Sequence, residues 1–155
     1  MKRIAAVMIA AGIGFGGAAG VSAQVQGGAA TQNRCDGTGT CKVDVAVSLC
    51  FVTANPYTLT VGAKDINIFW ELDSHSAYRF NPVDGIKLKP NQPDESEFDL
   101  PESQSNGKKF KLHDKNSKAK PGEKTYNNYN IKIQVQSGGN WNDCGTFDPI
   151  IINEG

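Results

Sequence analysis

Ile66-Asn67-Ile68-Phe69-Trp70-Glu71-Leu72 is the stretch that decides the fold class. Ile66, Ile68, Trp70 and Leu72 fall on one side, and Asn67, Phe69 and Glu71 on the other. A period of two marks a strand with one buried face, so this segment predicts a core strand with Trp70 as a central packing residue. The pattern recurs in both directions. Upstream, Val43, Val45, Val47 and Leu49 alternate with Asp44, Ala46 and Ser48. After a turn at Asn55-Pro56, Tyr57, Leu59 and Val61 alternate with Thr58 and Thr60. Downstream, Tyr78 and Phe80, then Ile86 and Leu88, mark short strands. Phe110 and Leu112 lie among lysines and predict an edge strand, where lysine discourages sheet-to-sheet pairing. Tyr129, Ile131, Ile133 and Val135 predict a long strand ended by Gly138-Gly139, and Phe147 with Ile150–Ile152 gives the last. Residues 91–107 and 113–125 read as polar loops. No window carries a helical apolar period. Roughly seven to nine short strands divided by turn signals predict an all-β, antiparallel β-sandwich.

The domain organisation follows from composition. Met1-Lys2-Arg3 is a basic start, residues 4–19 are apolar and uncharged, and Val21-Ser22-Ala23 supplies small residues for cleavage. Residues 1–23 therefore read as a secretory signal peptide, the apolar run being short for a membrane span. No Cys follows Ala23 directly, which argues against a bacterial lipoprotein. Residues 24–34 are rich in Gly, Ala, Gln and Thr and read as a flexible leader, leaving 35–155 as the sandwich domain. The expected location is the bacterial periplasm or the exterior, with no membrane span in the mature chain. Losing Lys2 and Arg3 leaves 14 basic against 16 acidic residues, a net charge of −2. Such a chain has no global field to draw it to nucleic acid or anionic lipid. The acidic block Asp94, Glu95, Glu97, Asp99 and Glu102 precedes a basic one from Lys108 to Lys124, and the two read as solvated faces that partly neutralise each other.

Cys35, Cys41, Cys50 and Cys144 allow three complete pairings. A strand over 42–49 holds Cys41 and Cys50 roughly 30 Å apart at ~3.3 Å per residue, which excludes that bond. Cys35 reaches back at most about 20 Å from Cys41, so it stays about 10 Å from Cys50, beyond the ~7 Å limit. Only Cys35–Cys41 with Cys50–Cys144 remains. The spacings lack the close Cys pair of a zinc site, and an exported chain favours disulfides.

The residues give little to catalysis. His75 and His113 are the only histidines, no Gly-x-Ser-x-Gly elbow is present, and bridged cysteines leave no thiolate. His75 beside Asp73 and Ser74 reads as an ordinary polar loop. Two rival readings stay open: a hydrolase of envelope carbohydrate using a carboxylate pair drawn from Glu71, Asp73 and Asp84, and a metal-binding protein using His75 and His113.

Ile68-x-Trp70-x-Leu72, Tyr78-x-Phe80, Gly85-Ile86, Tyr129-x-Ile131-x-Ile133-x-Val135 and Asp148-Pro149-x-Ile151-x-Asn153 span most of the mature chain. In these motifs the chain resembles a group of uncharacterised small secreted bacterial proteins with a cupredoxin-like sandwich, itself akin in layout to immunoglobulin-like sandwiches. The resemblance implies a fold and a compartment, and it invites a test for blue copper. A type-1 site needs two imidazoles, a thiolate and usually a weak axial Met. Cys144 precedes the last strand, but no His follows it, and Met1 and Met8 both lie in the signal. The expectation is therefore no cofactor.

Binding remains as the leading function: a non-catalytic binding or accessory module whose partner is an envelope protein or glycan. Trp141, beside Asn140 in the polar stretch Gly138–Asn142, can stack on a sugar or anchor a protein. Its competing role is local core, folded over the Cys50–Cys144 bond, and that role is the one expected. Tyr126 is a second aromatic candidate.

Overall fold

A computed structural model describes residues 33–37, 39–73 and 77–155. The expected signal 1–23, nearly all of the leader and His75 lie outside the described residues. The strands are β1 (Arg34–Cys35), β2 (Thr40–Ser48), β3 (Phe51–Asn55), β4 (Thr58–Val61), β5 (Ile66–Leu72) and β6 (Tyr78–Phe80). They continue as β7 (Ile86–Leu88), β8 (Glu102–Gln104), β9 (Lys109–Asp114), β10 (Lys124–Ser137), β11 (Asn140–Phe147) and β12 (Ile150–Glu154). The leader's last residue, Arg34, is already in β1.

Two sheets pack into an all-β sandwich. One runs β1-β4-β12-β10-β11, with β6 and β7 on the second edge of β10. The other runs β3-β2-β5-β9-β8. The sandwich is mixed where pure antiparallel pairing was expected: β1 with β4, β4 with β12, and β2 with β5 run parallel. The chain leaves β2 for β3, crosses to β4 in the opposite sheet and returns as β5 beside β2. Period-two alternation sets which face is buried and says nothing about the direction of the neighbour. A second correction concerns β9. It lies between β5 and β8, so β8 is the edge, and its segment was expected to be loop. Phe110 and Leu112 are buried in the core, and Lys109 and Lys111 face out against Glu71 and Glu102.

The core is the meeting of two alternating rows. β5 contributes Ile66, Ile68, Trp70 and Leu72, and β10 contributes Tyr129, Ile131 and Ile133. Trp70 Nε1–H donates to the Tyr129 hydroxyl at 3.0 Å, and the rings meet edge to face at 5.3 Å. Phe80 and Phe110 make a second cross-sheet edge-to-face pair at 5.4 Å. Gly85 belongs against that pair, since a Cβ there would lie 2.7 Å from both Phe110 Cε2 and Phe80 Cβ.

Cys35 is bonded to Cys41 and Cys50 to Cys144. The second bond clamps an unusual hairpin. Leu49 and Cys50 form the two-residue turn between β2 and β3, and both have positive φ, 49° and 63°. That geometry suits a hairpin's twist but ordinarily calls for Gly or Asn. The tie from Cys50 to β11 holds the turn in place, with Leu49 and Phe51 exposed on either side.

Tyr129→Phe leaves the buried Trp70 N–H without an acceptor. The expected loss is about 1–3 kcal/mol of unfolding free energy, read from urea denaturation, with the fold retained.

Candidate functional site

Gly138 and Gly139, with φ of 59° and 82°, close the two-residue turn that returns β10 as β11. The register then sets Trp141 opposite Gln136 and Asp143 opposite Gln134. Gln134 and Gln136 are out of phase with the buried Tyr129, Ile131 and Ile133, so this row faces outward. On the other edge of β10, β6 sets Arg79 opposite Gln134. The Arg79 guanidinium carbon lies 4.1 Å from the centre of the Trp141 ring, within cation–π range. Arg79 Nε–H donates to Gln134 Oε1 at 2.9 Å, and Gln134 Nε2–H to Asp143 Oδ1 at 3.0 Å. Asn81 Nδ2–H donates to the same oxygen at 3.3 Å. Indole, guanidinium, two amides and a carboxylate thus form one connected row on an open sheet face.

This corrects the expectation that Trp141 folds over the disulfide. Trp141 is half-buried and does not pack on the core, whereas Cys144 does. Strand alternation is the reason: Trp141 and Asp143 share the outer face opposite Gln136 and Gln134, and Cys144, the next residue, takes the inner one toward Cys50. Asn140 is exposed at the start of the same strand. Tyr126 is also exposed but lies ten residues before Gln136 on β10, roughly 30 Å away at the usual strand rise. Arg79, Gln134, Asp143 and Asn81 were not singled out in the sequence. Arg79 and Gln134 stand in the polar phase of β6 and β10, whereas Asp143 lies in a strand without alternation and Asn81 follows the end of β6, so those two carry no local signal.

The remaining candidates fall elsewhere. His113 Nδ1 lies 2.8 Å from Asp99 Oδ2, and its Nε2 lies 3.9 Å from Asp65 Oδ1. His75 is outside the described residues. Among the described residues, no three of His, Cys, Asp and Glu close on a common point. The copper ligands that the fold resemblance implies do not fit, since the Cys144 sulfur is bonded to Cys50. Glu71 sits between Lys109 at 2.8 Å and Lys42 at 2.9 Å, and these two hold its carboxyl below the usual range. A carboxyl held ionised in this way is a poor proton donor. Asp84 is paired with Lys132. Among the described residues no helix is long and apolar enough to cross a membrane.

The acidic and basic blocks meet. Asp99 pairs with Lys115 at 2.8 Å, and Glu97 with Lys118 at 3.4 Å. Glu97 is buried and accepts from the Ser117 hydroxyl at 2.6 Å, the Ser117 amide and the Lys118 amide. The Ser117 hydroxyl first, and then the amides and Lys118, hold its carboxyl below the usual value against the opposing effect of burial.

Two outcomes follow. Trp141 emission is quenched by acrylamide and Trp70 emission is not; Trp141→Phe removes the quenchable part, and Arg79→Ala enlarges the quenching constant. Glu97 has a lowered folded pKa, so its stabilisation is present above the unfolded value and is lost as pH falls through the folded one. Thermal melts of Glu97→Gln should accordingly lose less stability than wild type on acidification from neutrality to about pH 3.

Comparison with known proteins adds no constraint on this face: no family model matches the chain, and no curated protein matches it.

Proposed function

We propose that this protein is an exported, non-catalytic binding module of the bacterial cell envelope, and that it binds glycan through the outer sheet face around Trp141. The observation that carries the reading is the connected row of Trp141, Arg79, Gln134, Asp143 and Asn81. An indole offers an apolar plate for the C–H face of a sugar ring. Side chains held in fixed orientation beside it offer donors and acceptors for ring hydroxyls, at little entropic cost on binding. Export to the periplasm or beyond is supported by the basic start, the apolar run and the small residues at 21–23. It is supported also by two disulfides, which persist in oxidising compartments. The strand motifs support kinship with small secreted cupredoxin-like sandwiches, in a form without the copper ligands.

The test is titration of the processed protein with peptidoglycan fragments and neutral oligosaccharides, followed by tryptophan emission and calorimetry. At least one glycan should bind and perturb Trp141. Trp141→Ala should weaken that binding about tenfold or more, in the range expected for an aromatic anchor. Tyr126→Ala, on a remote part of β10, should leave it unchanged. Equal affinity in Trp141→Ala, or no binding across the set, refutes the reading.

A further inference from the structure

The end of the sandwich remote from Trp141 is polar inside. Three strand positions in phase with the core carry polar residues: Asn127 follows the phase of Tyr129 and Ile131, Asp114 that of Phe110 and Leu112, and Asn153 that of Ile151. Asp114 and Asn127 are 0% exposed, Asn153 1% and the neighbouring Asn116 2%. Buried polar atoms must be paired, so the partners can be traced one by one. Asp114 Oδ1 accepts from the Asn116 amide at 3.0 Å and from Asn153 Nδ2 at 3.3 Å. Asn116 Nδ2 lies 3.2 Å from the carbonyl of Val61 and 3.3 Å from those of Ala63 and Glu154. Asn127 is joined to Asp94 by two bonds.

What remains at this end is three buried acceptors with no partner among the described residues: Asp114 Oδ2, Asn116 Oδ1 and Asn153 Oδ1. Turning either amide over does not help. It would press an oxygen against Asp114 Oδ1 or against three carbonyls. The charge is also one-sided. No lysine or arginine pairs with Asp114 among the described contacts, and Lys118 is on Glu97. Burial, with Asp94 and Glu97 adding to it, pushes the Asp114 carboxyl up to about 7. Among the described residues, the site lacks spare donors and positive charge. A water supplies at most two protons and no charge, whereas a cation supplies the missing charge.

We propose that Asp114, Asn116 and Asn153 are ligands of a calcium ion seated in this end of the sandwich. The donor set is oxygen only, which suits a hard cation and not zinc or copper. The Asp114-x-Asn116 spacing puts a carboxylate and an amide carbonyl two positions apart on one short segment. Calcium accepts neutral amide oxygens in irregular geometry, while magnesium demands an octahedron and gives up water reluctantly. One carboxylate among three side chains is a sparse set against the roughly six to eight oxygens calcium takes. The expected affinity is that of extracellular modules, about 10⁻⁴–10⁻³ M. This site is independent of the glycan face.

The protein, freed of divalent ions with EDTA and dialysed, is titrated with calcium chloride and with magnesium chloride by calorimetry, alongside thermal melts. Calcium should bind one ion per chain, at least tenfold more tightly than magnesium. The melting temperature should rise on the order of 5 °C at about 10 mM calcium. Asp114→Asn keeps the shape and removes the charge; it should lose both the heat and the rise. Asn153→Asp adds a charge and should tighten binding several-fold, which keeps a folded test available. Asp65→Asn, on an exposed carboxylate, should behave as wild type. No saturable calcium heat in wild type, or unchanged affinity in Asp114→Asn, overturns the proposal. So does a melting temperature that falls as pH rises through neutrality and ignores calcium, which would assign the orphaned oxygens to a proton.

Discussion

The contact between Trp70 and Tyr129 is the constraint on which the sandwich depends. Each ring comes from a central strand of its own sheet, and each is fully buried. Apolar rows alone could slide over one another with modest loss, because burial is indifferent to direction. A buried indole N–H and a buried phenol are not indifferent, since each needs a partner. They find each other across the interior at 3.0 Å, and that bond fixes the alignment of β5 over β10. Burial raises the phenol's pKa and keeps it neutral, and the hydroxyl oxygen accepts the indole proton through a lone pair. The Phe80–Phe110 pair repeats the edge-to-face contact nearby, and the remaining aliphatic rows fill the space these aromatics define.

Much of this was legible in the sequence because period two is a strong local signal. Ile66–Leu72, Tyr78–Phe80 and Ile86–Leu88 were readable to the residue. The cysteine pairing was also readable, since a strand between Cys41 and Cys50 leaves few choices. The misses have physical reasons. Asn140–Phe147 is polar on both faces and crosses a register shift, so no alternation survives in it. Phe51–Asn55 carries its largest side chain, Phe51, in solvent. Glu102–Gln104 has no buried residue at all. Parallel pairing is decided by long-range crossings that leave no local trace.

The two candidate sites were hidden for opposite reasons. Trp141 was visible as a residue, but its side of the sheet depends on the β10–β11 register, and its neighbours Arg79 and Asn81 come from β6 and the residue after it, about sixty residues earlier in the sequence. Asp114, Asn127 and Asn153 left a clearer mark. Each is a polar residue standing in apolar phase, which costs stability unless something compensates it. A break of phase at the end of a single strand reads as fraying. The same break on three strands that meet in space is a designed polar end, and only the topology brings the three together.

β10 joins these features and keeps them apart. Its odd-numbered residues from Asn127 to Ile133 face the interior, while Gln134 and Gln136 face the solvent beside Asp143 and Trp141. Asn153 pairs with Thr125 near one end of the strand, and Trp141 with Gln136 near the other, roughly 35 Å away. Groups so far apart, with no shared partners, act additively. The outer face is therefore free to change its hydrogen-bonding groups without disturbing the Trp70–Tyr129 contact. The polar end has no such freedom. Asn116 holds three carbonyls from two parts of the chain, and Asp114 and Asn153 each lean on the other. The outer row and the polar end can diverge on one scaffold because a single long strand, through its alternation, assigns them to opposite faces and opposite ends.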